Sequence, residues 1–258
     1  MNLLIDIGNT NLHWARQDAA GLGPMTGVRH GGGLPLDLLA AWEALDPPRR
    51  VLVGNVGGAD LGETVARVVR AYWGLEAQFA VTRRDCLGLR VAYAQPTRLG
   101  VDRWLALLGA LGRGAAAALV VDVGTAATFD VLASAGQHLG GLILPGLTMM
   151  RDSLFAGTRI PPGEPEPTDE PWAADTGAAV ATGSLHALAA LAERLHQRLW
   201  DRLSESAGAG SAPPPALLIT GGDGPRIAPL IARPLELVPE LVLCGLARLA
   251  STQWRPEN

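Results

Sequence analysis

Short, almost wholly apolar runs alternate along this chain with longer stretches in which apolar residues recur every three or four positions. The first run, Asn2 to Ile7, carries Asp6 near its end and meets Gly8, which predicts a buried strand entering a tight turn. Leu12 to Arg16 returns as its hairpin partner, with Gly8, Asn9, Thr10 and Asn11 as the turn. Helical spacing then predicts a helix over 34–45, a strand over 51–53 and a second helix over 61–73. Leu99, Leu105, Leu108 and Leu111 place a third helix over 99–111.

The opening pattern then recurs. Ala118 to Val121 is an apolar strand that delivers Asp122, Gly124, Thr125 and Thr128. Strands over 128–132 and 139–144 complete a meander closed by Pro145 and Gly146. The two Asp-x-Gly turns lie about one α/β lobe apart. This predicts a duplicated α/β architecture, with lobes 1–115 and 116–258 facing each other across a cleft. The Pro- and acid-rich stretch 161–171 predicts a loop. A long periodic segment, 173–203, predicts a helix broken near Gly183, followed by a Gly/Ser/Ala/Pro connection over 204–215. A strand over 217–220 ends in Gly221, Gly222 and Asp223, and a closing helix over 238–249 precedes a frayed tail.

Composition narrows the chemistry. The net charge of the 258 residues is −4, with no basic run, which argues against nucleic acid as a partner. No apolar stretch reaches the ~18 residues of a spanning helix, and the start has no basic, signal-like segment. The two cysteines, Cys86 and Cys244, form no metal spacing or disulfide framework and are expected to be buried thiols, consistent with a cytoplasmic location. The chain contains no lysine, so all 21 basic residues are arginine. That removes a Walker P-loop and any Schiff-base mechanism. Phosphate handling would fall to backbone amides, hydroxyls, arginine and metal ions.

The Asp6 turn suits a metal–nucleotide. Its N–H groups and Thr10 hydroxyl can donate to phosphate oxygens, and Asp6 can hold Mg²⁺ directly or through water. An ordinary hairpin turn explains the same residues when the motif stands alone. The second copy at Asp122, and the glycine pair after a late strand, shift the balance towards the actin-like ATPase (ribonuclease H-like) superfold. Gly100-Val101-Asp102-Arg103 opens a helix. There Asp102 could accept a proton from an attacking hydroxyl, and Arg103 could fork onto a carboxylate or phosphate. Helix capping explains Asp102 equally well.

Taken in order, Asp6-Ile-Gly-Asn-Thr-Asn, Tyr93 with Pro96, Gly100-Val-Asp-Arg-Trp104, Asp122-Val-Gly-Thr-Ala and Gly140-Gly-x-Ile-x-Pro145-Gly146 resemble type III pantothenate kinase. Thr158 with Pro161, and Thr176 with Ala179 and Gly183, resemble later landmarks of that family. The resemblance implies phosphorylation of pantothenate by ATP to 4′-phosphopantothenate, the first step of coenzyme A biosynthesis. It implies ATP contacts from Asp6, Ile7, Gly8, Asn9, Thr10, Asn11, Leu12, His13 and Thr125. It implies pantothenate contacts from Tyr93, Gly100, Val101, Asp102, Arg103 and Thr176. Asp102 would be the catalytic base and Asp122 the ligand of a monovalent cation, K⁺ or NH₄⁺. A homodimer is implied, its interface helping to enclose the pantothenate site. The alternative is a non-catalytic transcription accessory factor on the same fold.

The sequence departs from the family pattern at two places. His13 stands where Lys or Arg is more usual, and the stretch after Leu52 lacks the usual Ser-Val, which reads as a tolerated loop variation. His186 and His196 are expected at the surface or an interface, Arg151 snorkelling over apolar surface, and the seven tryptophans in the core or an interface.

Overall fold

The computed structural model describes residues 1–160, 172–206, 212–252 and 254. The expected loop over 161–171, the middle of the 204–215 connection and most of the tail lie outside the described residues. The chain forms two compact units, Met1–Gly114 with Glu240–Asn258, and Ala115–Pro239. The second lobe therefore does not run to the end of the chain, as the sequence suggested. Its last helix belongs to the first unit.

In the first unit, β1 (Asn2–Ile7) pairs antiparallel with β2 (Asn11–Asp18), which also carries β3 (Gly21–Leu22) and β4 (Thr26–Arg29). On its other side β1 runs parallel to β5 (Val51–Asn55), and β5 to β6 (Ala77–Phe79). Helices α1 (Leu36–Glu43) and α2 (Ala59–Trp73) supply crossover connections. Both faces of β1 are buried, which is why it reads as a continuous apolar run. Leu3, Ile5 and Ile7 pack with Leu38 and Trp42 of α1 and with Leu61, Val65 and Val69 of α2. A short hairpin, β7 (Asp85–Cys86) and β8 (Leu89–Arg90), precedes α3 (Val101–Gly112). Leu99 is extended rather than helical, and Gly100 occupies the N-cap, so α3 starts two residues later than its periodicity suggests.

The last helix, Leu241–Ala250, packs on α3 at backbone distance. A Cβ at Gly245 would strike the Leu105 carbonyl, and one at Gly109 the Leu241 carbonyl. Arg50 ties down the helix's C-terminal end, donating to the carbonyls of Ala250 (3.1 Å), Thr252 (3.0 Å) and Trp254 (2.6 Å). A cation at a helix C-terminus also offsets the negative end of its dipole.

In the second unit, β9 (Ala118–Val123), β10 (Ala126–Ala133) and β11 (Gln137–Pro145) form the meander. After α4 (Leu147–Gly157) and α5 (Thr176–Ser206), β12 (Ala216–Thr220) pairs parallel with β9. A short α6 (Gly224–Ile227) leads to β13 (Glu236–Leu237), parallel to β12. The strand order β11-β10-β9-β12-β13 repeats β3-β2-β1-β5-β6 of the first unit, with the same parallel and antiparallel senses. The duplication read from two Asp motifs is thus present in the topology. Two mixed α/β sheets of like strand order are the arrangement expected of the actin-like ATPase (ribonuclease H-like) superfold.

Two expectations on α5 are corrected. The helix runs unbroken through Gly183. One interior glycine costs only about 1 kcal/mol against alanine, and the apolar face of Leu185, Leu188, Ala189 and Ala192, set into the core against Val121 and Phe129, outweighs it. His196 is buried rather than at the surface, its Nε2 donating to the Pro215 carbonyl at 2.8 Å. Of the tryptophans, Trp172 stands out in solvent at 81% exposure, whereas Trp42 and Trp104 are core. Cys86 and Cys244 are half-buried, not fully enclosed. Arg151 lies beside Asp152, with Nε 3.2 Å from Oδ1.

Candidate active site

The first unit holds two groups of candidate residues. Gly8 to Asn11 link β1 to β2, closed by Gly8 N–H donating to the Asn11 carbonyl at 2.9 Å. Strand register puts Asp6 directly opposite His13, with His13 Nδ1 3.9 Å from Asp6 Oδ2. Asn9 and Asn11 are exposed, while Ile7 and Leu12 are buried beneath the turn. The latter two fix the backbone and offer no side-chain donor. Gly27 of β4 lies opposite His13, and an added Cβ there would sit 2.7 Å from the imidazole Cδ2. The Cδ2–Nε2 edge of the ring therefore presses on Gly27, where a side chain would collide with it.

The loop leaving β5 is more than a tolerated variation. Val56 and Gly57 both donate their N–H to the Ile7 carbonyl, at 2.9 and 3.1 Å. A Cβ on Gly57 would collide with the Gly8 carbonyl. Asn55 shapes this loop, accepting from Gly57 N–H at 3.0 Å and donating to the Gly58 carbonyl at 2.9 Å. The loop thus supports the first turn from beneath, a role its composition did not reveal.

The second group lies at the start of α3. Asp102 Oδ1 accepts from the Arg103 N–H at 2.8 Å, so one carboxylate oxygen does cap the helix. A Cβ on Gly100 would come within 2.5 Å of that oxygen, so the N-cap must be small. Arg103 is 7% exposed, and its Nη1 donates to the Tyr93 hydroxyl at 3.1 Å. The guanidinium also lies 5.9 Å from the Tyr93 ring centroid, within cation–π range. Tyr93, Gly100, Asp102 and Arg103, separated in sequence, are therefore one cluster, and Val101 opens the helix between them. The two groups adjoin: a Cβ on Gly54 would meet both Leu105 of α3 (2.7 Å) and Asp6 Oδ1 (3.6 Å).

In the second unit, Gly124, Thr125 and Ala126 make a turn one residue shorter than its counterpart, with Gly124 N–H donating to the Ala126 carbonyl at 3.0 Å. Asp122 sits in register with Thr128 on one side and Thr220 on the other. Gly221, at φ +85°, passes so close that a Cβ would strike Asp122 Oδ1 and the Val123 backbone. Gly146 makes a similar approach to the Gly124 and Thr125 carbonyls, and its N–H donates to Thr125 O at 3.0 Å. The Asp122 carboxylate, the Val123 carbonyl and the threonines in register with Asp122 bring together oxygen donors of the kind that hard cations take. Among the described residues no group of three or more His, Cys, Asp or Glu could hold a metal. Thr176 is carried by another element, α5. It is exposed at the first position of α5, capped by Asp175, and lines a cavity of about 600 Å³ between α4 and α5 with Met150, Leu154 and Val180.

Sequence reasoning overlooked His30. It follows β4, is 9% exposed, and reaches back to the first turn, with Nε2 3.1 Å from the Gly8 carbonyl. A lone histidine near a Gly-Gly-Gly run carries no recognisable signal, because its partner lies 22 residues upstream.

Among the described residues no helix is long and apolar enough to cross a membrane. A family model described as type III pantothenate kinase matches residues 2–198. A type III pantothenate kinase of Nitrosococcus oceani is 38% identical over 260 residues, covering 97% of this chain and 94% of that protein. One from Acidovorax ebreus is 36% identical, covering 98% and 97%. A crystal structure of a conserved Campylobacter jejuni protein, assigned to the Baf family of transcriptional activators, superposes with a TM-score of 0.58 at 20% identity. The likeness covers 96% of this chain and 98% of that one, and bears on the fold alone.

Proposed function

The chain belongs to the type III pantothenate kinase family, and on that premise we propose that it transfers the γ-phosphoryl group of ATP to the primary hydroxyl of pantothenate. The products are ADP and 4′-phosphopantothenate, which begins coenzyme A biosynthesis. The observation that carries this reading is the Tyr93–Arg103–Asp102 cluster at the start of α3, beside the Asp6 turn of the same unit.

Each residue has a task that its surroundings suit. Arg103 is buried and oriented by Tyr93, a placement that suits its guanidinium to fork onto the pantothenate carboxylate. Asp102 is the base: it accepts the proton of the attacking hydroxyl as the oxygen–phosphorus bond forms. Its bond to the Arg103 N–H fixes the carboxylate's direction, so the capping role and the catalytic role are compatible. Gly100 and Val101 shape the substrate's approach. Residues 6–13 and Thr125 bind ATP, with the turn N–H groups and the Thr10 and Thr125 hydroxyls donating to phosphate oxygens. Asp6 would hold Mg²⁺, and Asp122 with the neighbouring Val123 carbonyl would hold K⁺ or NH₄⁺, offsetting phosphate charge in a chain without lysine.

The protein works as a homodimer in the cytoplasm. The cavity between α4 and α5 and the exposed Leu142, Ile143, Met149 and Leu154 form apolar surface suited to a second copy. Thr176, on the rim of that cavity, then contributes to the partner's pantothenate site. Heterodimers of Asp102→Asn and Thr176→Ala chains should regain activity; verified heterodimers that stay inactive would place Thr176 in its own subunit's site.

The activity is tested by coupled ADP release against a panel of hydroxylated metabolites. Pantothenate should stimulate release far above every other compound. Release with none of them would favour a non-catalytic regulator on this fold, and preference for another metabolite would reassign the substrate.

A further inference from the structure

The loop after β4 holds a residue that clamps the first turn without being part of it. Besides accepting from the Gly33 N–H at its carbonyl, His30 makes one further backbone and two ring hydrogen bonds in this region. Its backbone N–H donates to the Thr10 carbonyl at 3.2 Å, its Nδ1 accepts from the Gly32 N–H at 3.0 Å, and its Nε2 lies 3.1 Å from the Gly8 carbonyl. These contacts settle the tautomer. A backbone N–H can only donate, so Nδ1 carries the lone pair; the proton is therefore on Nε2 and points at the Gly8 oxygen. Both ring nitrogens are used, and the side chain is 9% exposed.

We propose that His30 is a positioning residue for ATP: through Nε2–H it holds the Gly8 carbonyl turned inward, which aims the Asn9 N–H of the first turn outward at the phosphates. The proposal rests on the reading of that turn as an ATP site. The logic is that of a peptide plane. The carbonyl of one residue and the N–H of the next point in opposite directions, so anchoring Gly8 C=O fixes the direction of Asn9 N–H. The Thr10 carbonyl is anchored in the same way by the His30 backbone, which fixes Asn11 N–H. Gly57, backing the Gly8 carbonyl from the β5 loop, limits the other direction of movement. His30 itself need not touch nucleotide.

Two substitutions separate the ring's two bonds. His30→Gln puts an amide N–H near the place of Nε2 and keeps the donor to Gly8. His30→Asn puts an amide oxygen near the place of Nδ1, keeps the acceptor for Gly32, and loses the donor. KM for ATP and for pantothenate, kcat and Tm are measured for both, with Asp6→Asn as a reference. The expected result is a roughly tenfold rise in KM for ATP in His30→Asn, the scale of one lost buried hydrogen bond. KM for pantothenate should move less than about twofold, and His30→Gln should stay within about threefold of wild type. Equal losses of Tm in the two variants with an unchanged KM for ATP would overturn the proposal and leave His30 a purely structural residue. If Asp6→Asn also leaves KM for ATP unchanged, it is the ATP reading of the turn that fails. If Asp6→Asn raises it and His30→Asn does not, the failure belongs to His30 alone.

Discussion

Gly221 and Gly222 are adjacent and chemically identical, yet alanine should affect them very differently. At Gly221 the backbone has φ +85°, and a new Cβ would strike Asp122 Oδ1 together with the nitrogen and carbonyl oxygen of Val123. At Gly222 nothing lies within 4 Å and the residue is exposed. The left-handed backbone costs an alanine about 1–2 kcal/mol. Forcing a methyl against backbone atoms of a central strand costs a further ~1–3 kcal/mol, because no flexible side chain can yield. Gly221→Ala should therefore lower Tm by roughly 5–15 °C, whereas Gly222→Ala should change stability by less than about 0.5 kcal/mol. The same clash pushes Asp122 and the Val123 carbonyl away from their shared position. Half-saturation by K⁺ in the kinase assay should then rise in Gly221→Ala and stay unchanged in Gly222→Ala. Differential scanning calorimetry and K⁺ titration read the two effects. Equal Tm values for the two variants would refute the packing argument; a lowered Tm with an unchanged K⁺ response would refute the cation site.

Asp102→Asn keeps the cap oxygen but removes the base, so turnover should fall about 10²-fold or more at unchanged Tm, and wild-type turnover would reduce Asp102 to a cap. Arg50→Ala strips three carbonyls at the end of the last helix of a charged donor and should cost about 2–4 kcal/mol in urea unfolding. Arg50→Lys should recover only part of this, since an ammonium cannot span the same fork; an unchanged midpoint in Arg50→Ala would contradict the account. Burial pushes the Cys86 thiol up, against the opposing pull of Arg83 and Arg248. Its thiolate fraction at pH 8 is therefore below that of an ordinary cysteine, and iodoacetamide should alkylate it more slowly than a free thiol, gaining rate only as pH rises further.

What the sequence disclosed follows from what periodicity can encode. The strands bearing Asp6 and Asp122 are apolar on both faces, so they stand out, and the turn residues behind them are read directly. The strands β3, β7, β8 and β13, each two residues long, carry no period at all. The last helix was legible as a helix, but nothing local says that it packs on α3; Gly245 and Gly109, each pressed on a carbonyl of the other helix, show their role only in the folded chain. His196 was recoverable, because it continues the stripe of Leu185, Leu188, Ala189, Ala192 and Leu199 on one face of α5. His30 and the Asn55–Gly58 loop were not. They contact the backbone of the first turn from segments distant in sequence, and those contacts exist only in the folded chain.

The central claim is tested most directly by the product itself. Purified protein, incubated with ATP, Mg²⁺, K⁺ and pantothenate, should yield 4′-phosphopantothenate by mass spectrometry in amounts equal to the ADP formed. Its formation should disappear with Asp102→Asn. ADP formed without phosphorylated pantothenate, or product that persists undiminished in the Asp102→Asn protein, would contradict the account.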